Sequence, residues 1–172
     1  MLRGINVGSA RRVGMPELRD ALAEAGLAGA RTYVQSGNIV VDTKLSPARF
    51  ASAVEAVLQD PFELDDVPVI VRTRDQLERI VELDPLRDRA TDDRLYQVSF
   101  LSDELSADVE ALLMSQDHDP EALVIDGREL YSWHPGGVHS SKLARQLTDR
   151  KLGAVVTARN WKTVTALLAL TG

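Results

Sequence analysis

Ala122-Leu123-Val124-Ile125-Asp126-Gly127-Arg128-Glu129-Leu130-Tyr131-Ser132-Trp133 reads as two β-rich runs around Asp-Gly, a strong short-range hairpin signal. The segments on either side decide what this hairpin belongs to. Upstream, Tyr96, Val98 and Phe100 alternate as in a half-buried strand, and Ser102 is a cap for a helix carrying Leu105, Val109, Leu112 and Leu113 on one face. Downstream, Leu143 and Leu147 mark a helix from about Ser140 to Leu152 with Gly153 as its stop. A β-branched run, Ala154-Val155-Val156-Thr157, then passes within a few residues into a helix with Trp161, Val164 and Leu168 at helical spacing. The second half of the chain is therefore β-α-β-β-α-β with one helix added at the end.

The first half repeats the same order. A short strand opens in Met1-Leu2-Arg3-Gly4-Ile5-Asn6-Val7-Gly8 and gives way to a glycine-punctuated loop. Pro16 suits the first position of a helix lined by Met15, Leu18 and Leu22, and Gly26 stops it. Arg31–Gln35 and Ile39–Val41 flank Ser36-Gly37-Asn38 as a second hairpin. Ser46-Pro47 starts a helix with Phe50, Val54, Val57 and Leu58 inward, and Val67, Val69 and Val71 alternate as a strand. Thr73 and Gln76 form a capping-box signature for a connecting helix ending near Asp84-Pro85. The expected fold class is α+β, in two small sheet-and-helix units of ferredoxin-like order, residues 1–85 and 86–172. One continuous sheet through both halves is the alternative. The halves share element order but little residue identity, so this is not a solenoid repeat.

Composition bounds the function. The chain has 172 residues, 44% hydrophobic and 27% charged, with formal net charge -6, so it can build a core but offers no overall footprint for nucleic acid or an anionic membrane. Without cysteine there is no disulfide, thiolate metal site or cysteine nucleophile. No apolar run approaches about 18 residues and no signal-peptide core begins the chain, which places it as a soluble cytoplasmic protein.

Candidate chemistry gathers at segment ends. In Thr157-Ala158-Arg159-Asn160-Trp161-Lys162-Thr163-Val164, Asn160 is an N-cap with Thr163 at the third helical position, and Arg159 stands beside the positive end of the helix. A helix start with an adjacent Arg favours phosphate or carboxylate. Against this stands the plainer reading of a cap, a surface ion pair and a core Trp. Pro135-Gly136-Gly137-Val138-His139-Ser140-Ser141-Lys142-Leu143 is a glycine loop entering a helix, without the Gly-Lys-Ser/Thr ending of a P-loop. His134 and His139 flank it, either one a general base if an anion is held there. Gly4-Ile5-Asn6-Val7-Gly8 lacks the Gly-x-Gly-x-x-Gly spacing of a dinucleotide site. Asp117-His118-Asp119 is too compressed to aim three ligands at one metal, so no metal site is expected, and the sequence names no cofactor.

Leu2–Gly8, Met15-Pro16-Glu17-Leu18-Arg19, Thr32–Val40, Ser141-Lys142-Leu143 and Thr157–Val164 together resemble a bacterial family known as domain of unknown function 1697. The resemblance covers almost the whole chain. It implies an α+β fold with a ferredoxin-like portion and no particular reaction. Relatives carry further apolar residues before the Leu-Arg-Gly-Ile-Asn motif, so either the first strand is short here or the start lies upstream. The family pattern places polar types at turns and strand ends, and the expected ligand-binding set is Arg3, Asn6, Asn38, Ser141, Lys142, Arg159 and Asn160. The expectation is a cleft for a small anionic ligand facing both units. A structural or regulatory module that forms homo-oligomers through sheet edges is the alternative, and catalysis is left open.

Overall fold

The computed structural model describes residues 1–6 and 11–172. Val7, Gly8, Ser9 and Ala10, part of the expected opening strand and loop, lie outside them. The described residues form a mixed α+β structure with six α-helices and two antiparallel sheets. In order these are α1 (Met15–Glu24), β1 (Arg31–Tyr33), β2 (Asn38–Val40), α2 (Pro47–Gln59), α3 (Arg74–Leu83), β3 (Tyr96–Leu101), α4 (Ala107–Met114), β4 (Ala122–Asp126), β5 (Glu129–Trp133), α5 (Asp149–Leu152), β6 (Val156–Asn160) and α6 (Trp161–Leu170). Two compact units result, one of residues 1–76 with 167–172, the other of residues 77–166.

The division falls inside α3 and not after residue 85 as the sequence suggests. In the second unit, the Tyr131 hydroxyl donates to the Ile80 carbonyl at 3.5 Å and Arg79 meets Asp126 at 3.4 Å, which ties α3 to β4 and β5. The last residues return to the first unit, where Arg31 donates to the Leu170 carbonyl and Arg74 to those of Thr171 and Gly172.

In the first unit β1 pairs with β2, and α1 and α2 supply most of an apolar cluster: Leu18, Leu22, Val54 and Leu58 are fully enclosed, together with Leu2 from the chain start. The helix signals are realised locally. Ser46 Oγ accepts from Arg49 N at 3.4 Å, and Thr73 and Gln76 cap reciprocally, Thr73 N to Gln76 Oε1 at 2.9 Å and Gln76 N to Thr73 Oγ1 at 3.3 Å. The strands expected at the chain start and at Val67–Val71 reduce to one bridge, Leu2 to Val69. Pro68 has no N–H to give a ladder, and Gly4 (φ 71) and Asn6 (φ 54) turn the chain out of extended conformation. The chain start is held by bonds that include Leu2 N to Gly37 O at 2.8 Å, Arg3 N to Pro68 O at 3.2 Å, Ile70 N to Met1 O at 3.0 Å and the Met1 amine to Ile70 O at 2.9 Å.

The second unit holds a four-stranded antiparallel sheet in the order β4-β5-β3-β6. Its hairpin closes with Asp126 opposite Glu129, so Gly127 (φ 57) and Arg128 make the turn. Leu101, Leu123, Leu130 and Val156 on one face join Leu113 of α4 and Leu143 and Leu152 in a buried cluster. Two sequence expectations change here. Ser102 does not cap a helix; its Oγ accepts from Val155 N at 3.1 Å, and Ser106 caps α4 instead, accepting from Val109 N at 3.4 Å. The helix expected from Ser140 to Leu152 contracts to α5, because Ser140 Oγ donates to the Gly136 carbonyl at 2.6 Å and Ser141 Oγ accepts from Ala144 N at 2.7 Å. Those side chains hold the segment in turns.

Candidate functional site

β6 carries Thr157 and Arg159 on one face of the sheet and Val156, Ala158 and Asn160 on the other, as strand alternation requires. Arg159 stands opposite Val98, which in turn faces Tyr131, and all three are buried. Arg159 as a whole is 8% exposed. Its Nη1 donates to Thr157 Oγ1 and to the Ala158 carbonyl, each at 2.8 Å, which ties that end of the guanidinium to its own strand. Burial pulls its pKa down to about 10, because lost water disfavours the charged form.

One residue on, Asn160 caps α6, Oδ1 accepting from Thr163 N at 2.9 Å, while Lys162 N donates to the Asp93 carbonyl at 3.4 Å. The first turn of α6 thus already has protein acceptors on two of its N–H groups. Trp161 lies on Tyr96, ring centroids 4.7 Å apart and planes within 14°, a stacked pair that fixes the direction in which the helix leaves the sheet.

On the other face, just beyond β5, sits a polar cluster. His134 is 1% exposed; its Nδ1 lies 2.9 Å from Glu121 Oε1 and 2.9 Å from Ser141 Oγ, and its Nε2 lies 2.9 Å from Ser132 Oγ. Glu121 Oε2 accepts from Leu143 N at 3.0 Å. Burial raises the Glu121 carboxyl pKa, but hydrogen bonds from His134, Ser141 and the Leu143 N–H outweigh it and hold the group below its usual value. An ionised Glu121 accepts from His134 Nδ1, and Nε2 and the Ser132 hydroxyl form the next hydrogen bond. Carboxylate, imidazole and hydroxyl follow one another as in a nucleophilic triad. The resemblance stops at connectivity, since Ser132 is in mid-strand and 1% exposed. Leu143, the last residue of the glycine-loop segment, gives its N–H to the Glu121 carboxylate of the same chain, while Gly137 N donates to the His134 carbonyl in a turn. Sequence reasoning passes over Glu121, because its backbone donor is 22 residues away and no local pattern connects them.

The remaining candidates lie in the first unit. Asn6 donates from Nδ2 to the carbonyls of Val13 (3.0 Å) and Gln35 (2.8 Å) and accepts at Oδ1 from Val13 N (2.9 Å), fastening two loops. Asn38 belongs to β2 and not to the turn; fully enclosed, it donates to the Tyr33 carbonyl at 3.0 Å and Ser36 Oγ at 3.1 Å. Arg3 is half-buried. Arg3, Asn6 and Asn38 thus belong to one unit, and Ser141, Lys142, Arg159 and Asn160 to the other. Within the second unit Arg159 and Ser141 are on opposite faces of the sheet, and Lys142 is exposed. His118 Nε2 lies 2.9 Å from the Leu113 carbonyl and Asp119 pairs with Arg89 at 2.8 Å; among the described residues no three His, Asp or Glu side chains gather as metal ligands. No described helix is long and apolar enough to cross a membrane.

A comparison with curated proteins finds no match. Among solved structures the chain is similar to the conserved bacterial protein SP0830 from Streptococcus pneumoniae, with TM-score 0.75 and 21% identity over 100% of this chain and 96% of that one, a likeness of fold alone. The profile of the family described as Protein of unknown function (DUF1697) matches residues 1–131, a stretch that includes Asn6, Asn38 and Glu121 and ends before His134 and Arg159. The chain belongs to the DUF1697 family.

Proposed function

We propose that this protein works by non-covalent recognition of a small anionic ligand, a phosphate or carboxylate, anchored on the guanidinium of Arg159. The observation that carries this reading is an arginine 8% exposed, its Nη1 held by Thr157 Oγ1 and the Ala158 carbonyl just before the start of α6. A planar guanidinium offers a phosphate or carboxylate a two-pronged donor, and burial strengthens such a contact. Ser141 and Asn160, both engaged in fixed hydrogen bonds, act as scaffold in this reading. In the same terms each unit is a variant of the ferredoxin-like β-α-β-β-α-β plan; the β4-β5-β3-β6 order of the second sheet supports that. The acidic composition and absence of cysteine favour the cytoplasm as its place of work.

A second reading, a structural module without a ligand, draws on Asn6, Asn38, Asn160 and Ser141, whose polar groups tie loops and helix ends together. A thermal-shift screen against inorganic phosphate, sugar phosphates, nucleotides and carboxylates separates the two. A ligand at a hundred times its Kd adds about 2.7 kcal/mol, or roughly 5–10 °C at this chain length. Stabilisation of the wild type and not of Arg159→Lys supports the anion site. No stabilisation by any class, with Arg159→Ala only lowering the melting temperature, leaves the structural reading.

A further inference from the structure

The sheet face that carries Arg159 has a charge balance that bears on which oxyanion suits it. Strand register places Val98, Phe100, Tyr131 and Trp133 on that face, all buried, with Glu129 and Asp126 across the sheet on β5 and β4. Among the described residues of the four strands, Arg159 is the one base on it. Arg79 of α3 pairs with Asp126 at 3.4 Å, and Lys162, the base nearest to Arg159 along the chain, is exposed. An incoming anion therefore meets at most one buried positive charge. Backbone donors add little, since Lys162 N and Thr163 N in the first turn of α6 already serve the Asp93 carbonyl and Asn160 Oδ1. Sites for a phosphate dianion are built differently, from several convergent N–H groups or cations that share its charge.

Burial makes the charge count matter. The cost of taking an ion out of water rises with the square of its charge, so a dianion loses about four times what a monoanion loses, while one guanidinium attracts it only about twice as strongly. We propose, as a refinement that rests on the anion reading above, that Arg159 selects a singly charged oxyanion, and that the ligand group it takes is a carboxylate and not a doubly charged phosphate monoester. The two oxygens of a carboxylate match a guanidinium fork and leave no third oxygen to be satisfied among apolar side chains. A phosphate enters in its singly charged form, with correspondingly lower affinity near neutral pH.

Benzoate and phenyl phosphate are the probes, because they present the two head groups on one ring. Each is titrated into the full wild-type chain and followed at the Arg159 side-chain NMR resonance, at about pH 7.2 and about pH 5.5, on either side of a phosphate monoester's second pKa of about 6. At the higher pH benzoate should bind at least about tenfold more tightly than phenyl phosphate, and the gap should narrow at the lower pH as the phosphate becomes a monoanion. Comparing both probes at each pH removes any change in the protein that they share. Phenyl phosphate binding at Arg159 as tightly as benzoate at the higher pH overturns the carboxylate assignment and leaves the anion site standing. A gap that does not narrow on acidification also overturns it, since head-group shape and not charge would then be selecting. No shift at Arg159 with either probe removes the anion site and this refinement together.

Discussion

Replacing Gly37 by Ala tests how the chain start is held. Gly37 has φ 76, and a Cβ there would lie 2.6 Å from Ile5 Cδ1, 2.8 Å from Leu2 Cβ and 3.0 Å from Ile5 Cγ1. The Ile5 tip can swing away. Leu2 Cβ cannot, because it is one bond from a backbone whose N–H donates to the Gly37 carbonyl at 2.8 Å. The left-handed conformation costs about 1–2 kcal/mol, displacing the Leu2 segment loses a hydrogen bond of about 0.5–1.5 kcal/mol, and overpacking adds about 1–3 kcal/mol, together roughly 2.5–6.5 kcal/mol. Gly26→Ala and Gly29→Ala are the controls, since both glycines have φ 83 with nothing within 4 Å of the added carbon, and should show the conformational part alone. Urea unfolding is best followed by circular dichroism and by hydrogen exchange of first-unit amides, because Trp133 and Trp161 both report on the second unit. If Gly37→Ala costs no more than the two controls, the Leu2 segment is not packed on this turn and the account of the first unit fails.

Three further outcomes follow from the hydrogen-bond geometry. Glu121→Gln should destabilise the second unit by about 1–3 kcal/mol near neutral pH, since it removes the charge that His134, Ser141 and the Leu143 N–H converge on. The Glu121 pKa is lowered in the folded state, so its contribution is complete above the ordinary value of 4.5 and is lost as pH falls through the lower folded value. The melting-temperature gap between wild type and Glu121→Gln should therefore narrow on acidification, and a gap that stays constant or widens contradicts the assignment. Asn6→Ala should lower first-unit stability by about 2–3 kcal/mol in chemical denaturation, from lost loop bonds and alanine's reluctance to adopt φ 54. Asn160→Ala should cost about 1 kcal/mol, seen as a drop of a few degrees in melting temperature, and Asn160→Asp should recover most of it by capping Thr163 N equally well.

The features legible in the sequence are those whose partners lie close along it. The Thr73–Gln76 box, the Ser46 and Asn160 caps and the Asp126-Gly127 hairpin each need only three or four residues, and each is present. Strand alternation already sets Arg159 and Asn160 on opposite faces, but placing Ser141 needs the fold. It reaches His134 through a segment whose serines take backbone partners and so escape helical periodicity. Glu121 and Asn6 depend on loops brought together over 22 and 29 residues. The opening strand misleads because apolar alternation does not register the missing N–H of Pro68 or the left-handed turn at Asn6.

Arginine side-chain NMR bears most directly on the anion site. With the Arg159 Nε–Hε resonance identified by its loss in Arg159→Lys, the protein is titrated with inorganic phosphate and then with the compounds that stabilise it. The account predicts a saturable shift of that resonance while the signals of exposed Arg145 and Arg150 move little. No shift at Arg159, or an equal drift of all arginines with ionic strength, would contradict it.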